Sequence, residues 1–174
     1  MYIVYILTIN HGKLNMALKE ELKLKRGFEM LEHEAVLNIY YTATGLKKSA
    51  DEFFKTLNLT DVQFNVLMLL AFQSGSHGGL SQVQLSEMML VNRANITTLI
   101  DRMEKASLVA RTSVSDDRRT NIIKLTAKGK KAFEKTEPLY VEMVKRAMAG
   151  FNPTQQKNLI VSLEKVRANI SESE

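Results

Sequence analysis

Residues 80–129 determine the fold of this chain, and they read LSQVQLSEMMLVNRANITTLIDRMEKASLVARTSVSDDRRTNIIKLTAKG. The capping box Ser81-Gln82-Val83-Gln84 predicts a short helix, and Asn92 predicts the start of a second helix that runs to about Ala106. A two-stranded hairpin should follow, with its tip at residues 115–119. Short helices followed by a basic hairpin can place one element in a DNA groove and another beside it. The stretch therefore favours nucleic-acid binding.

The positive charge of the chain is concentrated in this same stretch. The net charge is +5, but residues 93–131 hold ten Lys and Arg against four Asp and Glu, so they carry +6 and the rest of the chain −1. A localised basic surface attracts phosphates through counterion release. We therefore expect double-stranded DNA as a partner.

Composition excludes several other classes of protein. The chain has no cysteine, which rules out disulfides and thiolate metal sites and fits the cytoplasm. His11, His33 and His77 share no metal-ligand spacing, so we expect no metal and no cofactor. The longest apolar runs, residues 2–7 and 66–72, are much shorter than the roughly 20 residues of a membrane span. No membrane association is expected, and Met16 is an alternative to Met1 as the natural start.

No motif favours an enzyme. Residues 74–78, SGSHG, superficially resemble a nucleophile elbow, but that motif needs Gly two residues before the Ser, and position 74 is Ser. A phosphate-binding G-x-x-x-x-G-K-[ST] sequence is also absent. We interpret residues 74–79 as a linker.

Helical patterns flank the central stretch on both sides. Leu18 to Leu31 is predicted to be helical with an interruption at Gly27, and residues 32–57 form a long helix. A second capping box, Thr60 to Gln63, opens an apolar helix that should lie inside the protein. After Thr126 a helix is expected to reach about Ala149, with Pro138 kinking or restarting it. A last helix should run from Pro153 to about Ile170.

The central residues resemble the MarR (multiple-antibiotic-resistance regulator) family of winged helix-turn-helix regulators. The matching segments, in order and at the family's spacing, are LSQVQLS (80–86), LIDRMEK (99–105), LVAR (108–111) and DDRRTNIIKLTAKG (116–129). The resemblance implies a mainly α fold with a minor β component. It also implies a sequence-specific transcriptional regulator, a repressor released by a small-molecule effector, bound as a homodimer to a pseudo-palindromic operator.

This interpretation divides the chain into three parts. Residues 1–31 are an N-terminal, partly helical extension, and residues 58–126 are the winged helix-turn-helix DNA-binding domain. Residues 32–57 and 127–172 form a helical dimerisation region, because their apolar residues are more than the small central unit could cover.

The resemblance and the helix pattern together predict the residues that contact DNA. In the family, an Asp-x-Arg in the wing places its Arg in the minor groove with the Asp as a brace, and the matching residues are Asp117 and Arg119. An Arg or Asn in the first turns of the second helix is suited to reading guanine or adenine in the major groove. Arg102, further along, is expected to bind a phosphate or an intramolecular partner. The full predicted set is Ser81, Gln82, Asn92, Arg93, Asn95, Thr97, Thr98, Arg102, Asp117, Arg118 and Arg119.

The sequence departs from the family pattern in three ways. Ser107 replaces the Gly that usually ends the recognition helix, so the geometry of that end could differ. Thr98 stands where Arg is frequent, so base preference cannot be transferred. Without cysteine, thiol oxidation is excluded as the signal. A small amphipathic or aromatic effector is expected instead, with His33, Tyr40 and Tyr41 as candidate contacts.

Two alternatives to a sequence-specific regulator remain open. An architectural DNA-binding protein would bind all duplexes alike with a steep salt dependence. A winged-helix protein-interaction module, or an enzyme, would not need the basic wing at all. The operator, the effector, the regulated genes and the choice between repression and activation are not encoded in any motif.

Overall fold

The structure is a computed structural model that describes residues 17–75, 78–114 and 117–171, without the side chains of residues 114 and 117–120. The alternative start at Met16, together with His11 and His77, lies outside the described residues. The chain divides between Phe64 and Asn65 into two compact units. Helix α3 contains this boundary.

The described residues are mainly helical, with one small sheet, which confirms the predicted fold class. The elements in chain order are α1 (Leu18–Glu21), α2 (Leu31–Thr56), α3 (Asp61–Phe72), β1 (Leu80–Ser81), α4 (Gln82–Met88), α5 (Arg93–Lys105), β2 (Val109–Val114), β3 (Asp117–Leu125), α6 (Ala127–Ala147) and α7 (Pro153–Ser171).

Local hydrogen bonds place the helix starts where the sequence predicts them. The Gln63 amide N–H donates to Thr60 Oγ1 at 3.2 Å, and the Thr60 amide N–H donates to Gln63 Oε1 at 2.9 Å. Ser81 and Gln84 form the same reciprocal pair at the start of α4, at 3.2 and 2.8 Å. Asn92 Oδ1 accepts from the next turn of α5 at 2.9 Å. These bonds satisfy amides that a helix leaves unpaired at its N-terminus.

The predicted helix from Leu18 to Leu31 is largely wrong. Helix α1 ends at Glu21, because Lys23 adopts a left-handed conformation with φ 52°. The Leu24 amide N–H donates to Lys19 O at 3.0 Å, which is the hydrogen bond that closes a left-handed helix end. Lysine is rarely found in this conformation, so residue preferences do not predict the end of the helix here.

The sheet has three strands in the order β1-β3-β2, all antiparallel, and the sequence predicted only two of them. The hairpin of β2 and β3 is confirmed, with Val109 opposite Leu125. Its tip is shorter than predicted, since residues 117–119 already belong to β3. Strand β1 was missed because it has two residues, Leu80 opposite Ile123 and Ser81 opposite Ile122.

Helix α6 continues through Pro138, so the predicted restart does not occur. A proline inside a helix removes one backbone donor, here the one that would bind the carbonyl of Glu134. Pro138 is exposed, so water can bind that carbonyl instead.

One face of α5 lies in the core of the second unit. Ile96, Ile100 and Met103 recur at helical spacing and are completely buried. Val66 and Leu67 of α3 are also completely buried, which confirms that this helix lies inside. Leu85 of α4, Val109 of β2 and Ile123 of β3 are also fully buried. Burial of one face fixes which residues of α5 remain exposed.

The end of α5 keeps a left-handed geometry although Ser107 replaces glycine. Ser107 has φ 58°, and the Leu108 amide N–H donates to Met103 O at 2.9 Å. The Ser107 amide N–H donates to Glu104 O at 2.8 Å. This pair of bonds is the Schellman arrangement, so the departure from the family pattern leaves the helix end unchanged and costs strain at Ser107.

We therefore expect Ser107→Gly to stabilise the protein by about 0.5 to 1 kcal/mol, since glycine adopts this conformation without strain but loses more entropy on folding. Chemical denaturation measures the change. The same substitution at Ser162, inside α7, should destabilise by about 0.5 to 1 kcal/mol. Equal effects at the two positions would contradict the strain at Ser107.

Candidate nucleic-acid interface

The exposed face of α5 presents cations and an amide that are not used inside the protein. Arg93, Asn95 and Arg102 are exposed. Within the described ranges, no hydrogen bond or ion pair engages the guanidinium of Arg93 or Arg102, or the side-chain amide of Asn95. These groups can therefore bind phosphates or base edges without breaking an internal contact.

Four other predicted DNA contacts also have structural roles. Ser81 and Asn92 cap α4 and α5 through their side-chain oxygens. Thr97 Oγ1 donates to Arg93 O at 3.0 Å, and Thr98 Oγ1 donates to Ala94 O at 3.1 Å. Each of these oxygens can still accept a further hydrogen bond. Contact of these four residues with DNA stays a prediction.

Gln82 connects α4 to two neighbouring elements. In the amide orientation that satisfies both partners, Gln82 Nε2 donates to Thr97 Oγ1 at 3.1 Å. Gln82 Oε1 then accepts from Arg111 Nε at 3.3 Å and from Arg111 Nη2 at 3.1 Å. The structure thus brings two predicted residues together and joins them to a third that the sequence analysis did not single out.

Arg111, on β2, is the centre of this network. Its Nη1 donates to Glu104 Oε2 and its Nη2 donates to Asp101 Oδ1, both on α5. The Arg111 amide N–H also donates to Glu104 Oε1 at 3.0 Å. The hydrogen bond to Asp101, followed by that to Glu104, raises the pKa of Arg111 above its usual value. The guanidinium therefore stays charged and forms ion pairs with two acids of α5, Asp101 and Glu104.

A signal for Arg111 was present in the sequence. Asp101 and Glu104 are three residues apart, so they lie on the same side of α5. Two acids on a helix expected to meet DNA require a cation nearby, and the first basic residue of the following strand is Arg111.

The predicted wing residues lie at the hairpin end of the sheet. Asp117, Arg118 and Arg119 are the first residues of β3, next to the hairpin tip. The ladder pairs Val114 with Asp117, and a register irregularity lies between Ser113 and Val114. Residues 115 and 116 and the side chains of residues 117–119 lie outside the described part, so the minor-groove role stays a prediction.

Two of the three candidate effector residues line one cavity of the first unit. His33 and Tyr41 line this cavity of about 550 Å³, together with Leu22, Phe28 and Leu37. The rings of Phe28 and His33 meet edge to face, with centroids 6.0 Å apart. Tyr40 is exposed on the surface of α2 and does not line this cavity. Effector contact by any of the three residues stays a prediction.

Other kinds of site find no support in the described residues. No group of three or more His, Cys, Asp or Glu is placed to hold a metal ion there. None of the helices within residues 17–75, 78–114 and 117–171 is both long and apolar enough to cross a bilayer.

Helices α4 and α5 form a helix-turn-helix in which α5, the recognition helix, has an exposed basic face. The antiparallel hairpin of β2 and β3 follows α5 directly. These features define a winged helix-turn-helix protein. The sequence pattern of the MarR family matches residues 59–120. The HTH-type transcriptional regulator YfiV of Bacillus subtilis is 32% identical over 116 residues, which cover 67% of this chain and 69% of the relative.

Solved structures show the same fold. AbsC, a MarR family transcriptional regulator from Streptomyces coelicolor, superposes with a TM-score of 0.76 at 21% identity, covering 84% of this chain and 99% of that one. Sco3205, a MarR family regulator from the same organism solved in complex with DNA, gives 0.69 at 24% identity, covering 86% and 92%. The chain belongs to the MarR family and is a DNA-binding transcriptional regulator of that type.

Proposed function

We propose that the protein is a sequence-specific repressor, which binds a pseudo-palindromic operator as a homodimer and is released by a small-molecule effector. The observation that carries the proposal is the division of α5 into two faces. Ile96, Ile100 and Met103 anchor one face in the core, while the side chains of Arg93 and Asn95 on the other face have no internal partner among the described residues. An anchored helix can present such groups to base edges at a fixed depth.

In this proposal residues 58–126 are the DNA-binding domain, and residues 32–57 and 127–172 form the dimer. Helix α7 supports the second assignment, because none of its residues is buried and Ile160 and Val161 are 54% and 63% exposed. Leu31 and Leu46 of α2 are likewise exposed. Apolar faces of this extent are usually covered by another subunit.

A small aromatic or amphipathic compound is the effector class that fits the cavity at His33 and Tyr41. The cavity volume of about 550 Å³ is in the usual range for small-molecule sites. Its walls are mainly apolar, and the His33 imidazole, the Tyr41 phenol and the Glu29 carboxylate can hydrogen-bond the polar end of such a ligand. Such a ligand would shift the equilibrium toward a form in which two DNA-binding units no longer match half-sites roughly 34 Å apart.

Selection of bound fragments from genomic DNA tests the proposal. A repressor of this kind should enrich fragments with inverted half-sites about 10 base pairs apart, bound at least about 1,000 times more tightly than random duplex at physiological salt. Sedimentation should give two chains per operator, and a screen of small aromatic and amphipathic compounds should identify one that releases the complex. Equal binding to all duplexes with a steep salt dependence would instead identify an architectural protein.

A further inference from the structure

Arg111 of β2 contacts both helices of the helix-turn-helix, α4 through Gln82 and α5 through Asp101 and Glu104. In the sheet, Arg111 lies opposite Ile123 of β3. Its amide N–H and Nη1 both donate to Glu104, and its Nη2 donates to Asp101. Its Nε and Nη2 bind Gln82 at the start of α4. We propose that Arg111 is a positioning residue, which holds the recognition helix and the wing in the orientation that fits one operator. This inference rests on the proposed sequence-specific binding.

The geometry favours positioning over direct DNA contact. All three guanidinium nitrogens of Arg111 already have an acceptor, and its side chain is only 26% exposed. Arg93 and Arg102, by contrast, are exposed and have no such partner in the described ranges. A phosphate could bind Arg111 only at the expense of these contacts.

The double contact with Glu104 restricts movement of the wing. The backbone amide and the side chain of Arg111 bind the two oxygens of the same carboxylate. Sliding of β2 along α5 would break both bonds at once, and rotation of α5 would break the bond to Asp101. A planar guanidinium with donors in a fixed fork can make these contacts together, whereas the single ammonium of lysine cannot.

The same contacts order a side chain that is predicted to meet DNA. Arg111 holds the Gln82 carbonyl, so the Gln82 amide points its N–H groups toward Thr97 at 3.1 Å. A side chain ordered before binding loses less entropy in the complex. Loss of Arg111 should therefore affect the discrimination between operator and random DNA more than the general attraction to phosphates.

The variants Arg111→Lys and Arg111→Gln separate geometry from charge, with Lys130→Gln as a control. Lys130 lies on α6 and is exposed. Its substitution by Gln removes one positive charge, as Arg111→Gln does. Affinities for the selected operator and for a random duplex are measured over a range of salt concentrations. Thermal melting of each variant confirms that it is folded.

For Arg111→Lys we expect operator affinity to fall about tenfold or more and random-duplex affinity by less than about threefold, with the salt slope unchanged. Arg111→Gln should reduce the discrimination at least as much. Wild-type operator affinity in Arg111→Lys would overturn the proposal. The proposal would also be overturned if Arg111→Gln lost affinity equally for both duplexes and its salt slope were lower by about 1, since that is the signature of a phosphate contact.

Asp101→Asn provides a second test that leaves Arg111 and its bonds to Glu104 in place. Removal of an acid from α5 should tighten random-duplex binding by about twofold, because repulsion of phosphates decreases. If the bond between Arg111 and Asp101 helps to hold α5 in place, operator binding should nevertheless weaken by about threefold or more. Tighter binding to both duplexes would mean that Asp101 acts only as a charge, and would overturn the inference.

The two levels of the proposal fail in different ways. If the wild-type protein does not distinguish any operator from random DNA, the sequence-specific function is wrong. If wild type discriminates and Arg111→Lys does so equally well, the function stands and the positioning role is wrong.

Discussion

Gly129→Ala is expected to lower the free energy of unfolding by about 3 kcal/mol or more. Gly129 is buried in the first turn of α6, and a Cβ built there would lie 1.9 Å from Leu108 O and 2.9 Å from Leu108 C. Both atoms belong to the backbone, so no side chain can rotate to relieve the clash. A loss of this size is a large part of the roughly 5 to 15 kcal/mol by which small domains are stable.

The clash would affect the junction of three elements. Thr126 Oγ1 accepts from the Gly129 amide N–H at 3.0 Å and donates to Ser107 O at 2.6 Å. The Thr126 amide N–H donates to Leu108 O at 3.2 Å. A displaced Leu108 would therefore disturb the end of α5, the start of β2 and the cap of α6 together.

Gly75 and Gly150 are matched controls for urea denaturation of the Gly129 variant. A Cβ at Gly75 meets nothing within 4 Å, so Gly75→Ala should change stability by less than about 0.5 kcal/mol. Gly150 has equal space but φ +85°, so Gly150→Ala should cost about 1 kcal/mol through strain alone. If Gly129→Ala cost no more than Gly150→Ala, close packing against Leu108 would not explain this glycine.

The elements predicted correctly are those whose signals are local. Helices α3, α4 and α5 begin directly after Thr60, Ser81 and Asn92, because the side chain of each of these caps accepts from an amide three residues away. The buried face of α5 follows from helical periodicity. Such signals need no knowledge of the rest of the chain.

The features that were missed depend on distant contacts or on backbone strain. Strand β1 exists only because Leu80 meets Ile123 across the sheet. The early end of α1 depends on a left-handed Lys23, which residue preferences do not predict. The role of Arg111 depends on α5 lying beside β2, as its contacts with Asp101 and Glu104 show. Sequence therefore identified the residues that face outward more readily than the residue that orients them.

Arg119→Ala is expected to weaken binding to every duplex by roughly 10- to 100-fold per wing, because a charged hydrogen bond contributes about 1.5 to 3 kcal/mol. Arg119 is the third residue of β3, next to the hairpin tip. A narrow minor groove concentrates negative potential, and a guanidinium fits within it. The salt slope should decrease by about 1 for each lost contact. Fluorescence anisotropy with labelled operator and random duplexes, over a salt series, measures both quantities.

Arg26→Ala is the matched control for this variant. Arg26 is exposed and lies outside residues 58–126, so the substitution removes an identical side chain from a place where no DNA contact is proposed. Its effect on either duplex should be less than about threefold, since a distant charge contributes only through the screened field. Operator binding by Arg119→Ala that equals that of Arg26→Ala would remove the wing from the proposed interface.

Comparison of Arg119 with Arg93 separates the roles of wing and helix. Arg93 lies in the first turn of α5, where the proposed function expects side chains to contact base edges in the major groove. Arg93→Ala should therefore change which half-site is preferred, with a loss of about 1 to 3 kcal/mol confined to particular bases. Arg119→Ala should leave the order of preference among half-sites unchanged while all affinities fall. If instead Arg119→Ala reordered the half-sites and Arg93→Ala lowered all affinities equally, sequence would be read by the wing and α5 would serve mainly to hold the phosphates.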